Sequence, residues 1–186
     1  ACLTSVEDGI YTVSLVDEPA VESNFMLFSK ERMMFNIDNE EQRIITGCIM
    51  SADYPIYRRD ASGYEYYIIF DKQTIEVMAE KMLAEATHNN INLEHNPDNY
   101  VEDVYLKELF FKDSKRGIVP VGFEDIEEGS LFGTYKVLND DVWAQIKEGT
   151  FYNIFVRPFE FLIHFFGEMF NGSYGLAIIA ITVLIR

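Results

Sequence analysis

Charge all but disappears after residue 150, and no other feature constrains the fold of this chain as strongly. Residues 151–186 contain no Asp and no Lys, and their four charged side chains, Arg157, Glu160, Glu168 and Arg186, sum to zero. The whole net charge of −16 therefore belongs to residues 1–150. A stretch of that length can bury a core of its own. The chain is predicted to divide into an acidic domain, residues 1–150, and an apolar tail, residues 151–186.

The acidic balance argues against nucleic acid as a partner, because phosphate binding needs clustered Lys and Arg. The adjacent basic pairs, Arg58-Arg59 and Lys115-Arg116, each fall in a turn-like setting. Cys48 lies inside the apolar run Ile44–Met50 and reads as a small core residue. No Cys/His pair has zinc-ligand spacing, the acidic runs lack the spacing of a calcium loop, and no Gly-rich phosphate loop is present, so neither metal nor cofactor is expected. Ala1–Ile10 is acidic where a secretory signal would be basic and then apolar.

Hydrophobic periodicity predicts an α+β domain built mainly on antiparallel sheet with two helices. Strands are expected over residues 10–16, Arg43–Met50, Tyr64–Phe70, residues 90–95, Val101–Phe111 and Leu131–Leu138. Asn36–Glu41 reads as an acidic turn, and Met50 and Tyr64 are expected to bracket a hairpin with a long polar connection. In Asp71–His88 the apolar residues Ile75, Met78, Met82 and Ala86 recur every three or four positions, the period of a helix capped by Asp71 or Thr74. His88 at its end would interact favourably with the helix dipole. A second helix, Asp141–Glu148, carries Val142, Trp143 and Ile146 on one side and stops at Gly149. The run Glu124–Glu128 is expected to be a solvated face.

His95 is the residue most open to a chemical role. Ile91 and Leu93 alternate with Asn92 and Glu94 in a short strand that ends at His95, before the break at Pro97-Asp98-Asn99. Loops leaving rigid elements are frequent sites of chemistry, and histidine moves protons near neutral pH.

The tail reads differently. Phe151–Phe170 sets Phe155, Phe159, Phe161, Phe165, Phe166 and Phe170 among Arg157, Glu160, His164 and Glu168, as an amphipathic helix at a membrane interface would. After the turn Asn171-Gly172-Ser173, Tyr174–Ile185 is apolar apart from Thr182. That is shorter than the roughly twenty residues of a membrane span. The tail is expected to be a hydrophobic, helical hairpin-like element in contact with a membrane.

Several strings taken in order carry a family resemblance. YTVSLVDEPAV (Tyr11–Val21), ADYPIYRRDASGYEYYIIF (Ala52–Phe70), the helix Ile75–Leu83, the strand ending at His95, VPVGFEDIEEGSLF (Val119–Phe132) and VLNDDVWAQIKEG (Val137–Gly149) resemble the XkdF-like phage prohead (head maturation) serine proteases. The resemblance implies His95 as general base. It also implies a serine nucleophile in a Gly-Phe-Ser type string just after the W-x-x-I-x-x-G helix. Here the chain continues Asn153-Ile154-Phe155 at that place, without the serine. Ser130 and Ser114 do not match the nucleophile position. The resemblance therefore implies an endopeptidase acting on capsid or scaffold proteins in the host cytoplasm or prohead, incomplete here because a histidine base needs a nucleophile within reach. Loss of the serine strand would leave a sheet edge unpaired or an apolar face uncovered.

FYNIFVRPFEFLIHFFGEMF (Phe151–Phe170) and YGLAIIAITVLIR (Tyr174–Arg186) resemble the start of a YidC/Oxa-type membrane protein insertase. Arg186 matches the arginine of that family's hydrophilic groove, consistent with the functional character of charges within membranes. The two resemblances meet at Gly149–Tyr152, and the chain reads as a composite. An insertase fragment carrying an acidic soluble domain, or a scaffold module that binds without catalysis, are the alternative functions.

Overall fold

The computed structural model describes residues 10–16, 35–59, 64–93, 96, 98–151 and 153–156; of residues 16, 57–59 and 153–156 it describes the backbone alone. In chain order these form β1 (Val13–Val16), β2 (Asn36–Asn39), β3 (Ile44–Met50), β4 (Ile56–Arg59), β5 (Glu65–Ile68), α1 (Lys72–Ala84), β6 (Ile91–Leu93), β7 (Val104–Phe111), β8 (Leu131–Val137), α2 (Asp140–Lys147) and β9 (Asn153–Val156). Short 3-10 turns lie at Thr87–Asn89 and Ser114–Arg116. The described fold is α+β, and its pairings are antiparallel except for β1 with β6.

A four-stranded sheet, ordered β2-β3-β8-β7, forms the frame. β3 is buried along its whole length, as the apolar run Ile44–Met50 requires. Alternation along β8 separates two clusters. Leu131, Tyr135 and Val137 join Ile45 and Ile49 of β3 in the main core, which α1 covers with Ile75, Met78, Ala79 and Met82 and α2 with Val142, Trp143 and Ile146. Phe132 faces the other way, level with Cys48 on β3 and Phe110 on β7. Phe123 and Ile126 cover this smaller cluster. Gly133 makes room in the main core: a Cβ there would stand 2.6 Å from Ile49 Cδ1 and 2.7 Å from Tyr135 Cε2.

The caps follow local chemistry. The Asp71 carboxylate accepts from Thr74 N and the Asn139 side chain from Val142 N, each meeting an amide with no partner inside its helix. Gly149, at φ +73°, provides the left-handed residue after α2. α1 ends earlier than its periodicity predicts. Ala86 turns left-handed at φ 57°, and His88 lies in the following 3-10 turn rather than on the helix.

Three expectations are corrected. Asn36–Asn39 is an edge strand on β3, and the turn is confined to Glu40–Arg43, where Arg43 N donates to Glu40 O at 3.2 Å. Met50 and Tyr64 do not bracket a hairpin. β3 is occupied on both sides by β2 and β8, and the polar connection contains β4, which pairs with β5. Ile56, Ile68 and Phe70 anchor that ribbon in the core. Finally, Asn153–Val156 is a strand against β1, not the first turn of an amphipathic helix, so the sheet edge expected to be unpaired is filled. Ile154, Phe155 and Val156 are strong strand formers, and the buried Phe151 fixes the entry to this segment. The rest of the tail, with His164 and Arg186, lies outside the described residues.

Candidate functional site

The sequence points to two places for chemistry, the strand leading to His95 and the segment following α2. The fold brings both to one strand. β1 is the centre of a three-stranded sheet ordered β6-β1-β9, with β6 parallel to it and β9 antiparallel. Leu15 is level with Leu93 on one side and with Ile154 on the other. β6 and β9 are thus separated by one strand, about 10 Å apart. β9 also packs on β3 of the larger sheet.

His95 itself lies outside the described residues, but the backbone on either side of it is defined. Leu93 N donates to Asn99 O at 3.2 Å and Val101 N to Ile91 O at 2.8 Å, so β6 returns on itself. Asn96 N donates to Leu93 O at 3.0 Å, and the Asn96 side chain accepts from Asp98 N at 2.9 Å. This is the Asx chemistry expected of a tight turn. An isolated bridge, Asn92 to Tyr100, closes the base.

β1 is buried on both faces. Val13 and Leu15 enter the main core, whereas Ser14 points to the opposite side. Ser14 is level with Asn92 on β6 and with Phe155 on β9. Its hydroxyl donates to Asn92 Oδ1 at 2.5 Å, and the two residues are 1% and 4% exposed. Sequence reasoning placed Ser14 on a strand but could not pair it, because its partner is 78 residues away.

Other serines of the described residues are engaged elsewhere. Ser130 Oγ accepts from Ala52 N at 2.9 Å and is fully buried. Ser51 donates to Glu127 Oε2 at 3.2 Å. Ser114 donates its hydroxyl to Glu128 Oε1, and its backbone N–H donates to Glu128 Oε2 at 2.9 Å. These bonds hold the Glu128 carboxyl below the usual carboxylate range, with the Ser114 hydroxyl the main cause. None of these hydroxyls donates to a histidine.

The acidic run is not simply a solvated face. Residues 119–130 form a strap over Phe132 and Cys48, clamped by Lys112, which is 5% exposed. Lys112 Nζ donates to Glu124 O at 2.6 Å and to Ile126 O, with Glu128 Oε1 at 4.0 Å. Beneath the strap, burial pushes the Cys48 thiol up to about 12. Among the described residues no group of His, Cys, Asp and Glu is placed to hold a metal ion.

The strand that leads towards residue 95 and the strand that follows α2 thus flank one central strand. The chain falls within a family described as phage serine proteases. Residues 31–157, more than half of the chain, match the sequence model of the phage serine protease XkdF family, and the chain belongs to that family. Separate, shorter matches are to insertases. The membrane protein insertase YidC 1 of Halalkalibacterium halodurans is 47% identical over 56 residues, 30% of this chain and 21% of that protein. YidC 1 of Staphylococcus epidermidis is 45% identical over 38 residues, 20% of this chain and 14% of that protein. YidC of Staphylococcus carnosus is 48% identical over 40 residues, 22% of this chain and 14% of that protein. The chain spans about a fifth or less of the length of these relatives. No solved structure matches it. Among the described residues no helix is long and apolar enough to cross a membrane.

Proposed function

We propose that this chain carries the scaffold of a phage head maturation endopeptidase without its nucleophile. His95 is the general base, and capsid or scaffold proteins are the substrate class to which the scaffold is adapted. The observation that supports the reading is the shared use of β1. The strand leading to His95 and the strand at Asn153–Val156, where the family carries its serine, flank it on opposite sides. With Asn153-Ile154-Phe155 in place of a Gly-Phe-Ser type string, His95 has no hydroxyl at that place in the chain to deprotonate. Binding of protein substrates does not need that hydroxyl, so the domain retains recognition and loses cleavage. A fluorophosphonate probe tests the reading. No serine of the chain should be labelled, and labelling that disappears in His95→Gln would overturn it.

A second reading applies to the tail. The likeness of Phe151–Phe170 and Tyr174–Arg186 to an insertase start, together with the short insertase matches, favours this tail as the opening of a membrane protein insertase, in which β9 closes the acidic domain and the following residues contact a membrane. Arg186 would then correspond to the groove arginine. Flotation with liposomes should carry the chain upward, and truncation after residue 156 should abolish this. A chain that stays at the bottom of the gradient would refute the membrane contact.

A further inference from the structure

We propose that Ser14 and Asn92 are positioning residues, two members of a three-place polar row whose third place is position 155. The inference rests on the reading that β9 is the strand of the missing nucleophile. Directly opposed residues on neighbouring strands point to the same side of a sheet, with Cβ atoms about 4.5–5.5 Å apart. Asn92, Ser14 and position 155 are such a set, in consecutive strands at one level.

A buried polar pair is costly unless its groups are satisfied. Ser14 and Asn92 meet this condition through each other. The Ser14 proton goes to Asn92 Oδ1, which fixes the hydroxyl rotor and leaves the oxygen lone pairs to accept from a further donor in the row. A hydroxyl at position 155 would be within reach of that oxygen. It would be held in one rotamer by a bond to Ser14, which is itself held by Asn92. Neither residue is a base, so their part is orientation rather than proton removal. The native phenylalanine at 155 can make no such bond, and the pair closes on itself.

The test is made in the full-length chain with Phe155→Ser. That variant is expected to react with a fluorophosphonate probe. Adding Ser14→Ala or Asn92→Leu should slow labelling about tenfold, roughly the rate equivalent of one hydrogen bond. Adding Val13→Ala, equally buried on the opposite face of β1, should lower stability and leave the labelling rate unchanged. Slowing of the same size by Val13→Ala, or none by Ser14→Ala, overturns the proposal. If Phe155→Ser is not labelled in any background, the reading of β9 as the nucleophile strand fails. The row is then judged by unfolding midpoints alone. Ser14→Ala must lower the midpoint more in the Phe155→Ser chain than in the native chain, and an equal effect in both overturns it.

Discussion

Replacing Lys112 by Met should open the strap without refilling the main core. Lys112 is 5% exposed, and its ammonium donates to the carbonyl oxygens of Glu124 and Ile126. Met keeps the length and the apolar stem and removes all the donors. Each carbonyl left unsatisfied costs about 1–3 kcal/mol, so the loss is about 2–6 kcal/mol. Relief from burying a charge offsets part of it, leaving a net destabilisation of about 2–4 kcal/mol. For a domain of this size that lowers the melting temperature by about 4–16 °C. Urea unfolding followed by the fluorescence of Trp143, which is buried beside α2's other core residues, measures the free energy. Hydrogen exchange of the Phe123 and Ile126 amides, each bonded only to a carbonyl three residues back, should accelerate more than exchange in β3. A variant within about 0.5 kcal/mol of the native chain, the range of an ordinary surface substitution, would refute the view that one buried cation holds the strap closed.

Other consequences are as specific. Gly133→Ala places a methyl group 2.6 Å from Ile49 Cδ1 and 2.7 Å from a ring carbon of Tyr135. Overpacking of this kind costs about 1–3 kcal/mol, and a neutral result in the same urea assay would show that the two side chains yield freely. Cys48, buried and with its thiol raised to about 12, should resist iodoacetamide at pH 8 in the native chain and react on unfolding. Modification of Cys48 in the native state, located by peptide mass mapping, would contradict its burial. Glu128 is held below the carboxylate range by Ser114. Such a group stabilises the fold above its unfolded value of about 4.3 and loses that contribution as pH falls through the lower folded value. Glu128→Gln should therefore flatten the acid limb of melting temperature against pH and leave the limb above about pH 5 parallel to that of the native chain; an unchanged acid limb would refute the assignment.

What could be read from the sequence was local. Ile75, Met78 and Met82 repeat at helical spacing, and that periodicity alone placed their side of α1 in the core. Asn139 and Gly149 punctuate α2 through backbone chemistry that acts within a few residues. The apolar run of β3 marked it as a core strand. The pairings between strands were not legible, because they depend on contacts distant in sequence. Nothing near Ser14 announces Asn92 or Phe155, and nothing near Lys112 announces the carbonyls of Glu124 and Ile126. The acidic run 124–128 looked like a solvated face because its charges are local, whereas the burial of Phe123 and Ile126 is set by Phe132 and Cys48. β9 was misjudged for a different reason. The aromatic composition of the following residues suggested a helix from Phe151 onward, while the four residues Asn153–Val156 answer to the open side of β1.

The central claim, a phage protease scaffold that lacks only its nucleophile, is tested most directly by restoring the missing string. The native chain and the triple variant Asn153→Gly, Ile154→Phe, Phe155→Ser should be exposed to a fluorophosphonate probe side by side, each with and without His95→Gln, and the labelled residue located by mass spectrometry. The account predicts no labelling of the native chain, labelling of the triple variant at position 155, and loss of that labelling with His95→Gln. Labelling of the native chain at Ser14, Ser114 or Ser130 that depends on His95, or a folded triple variant that stays unlabelled, would contradict it.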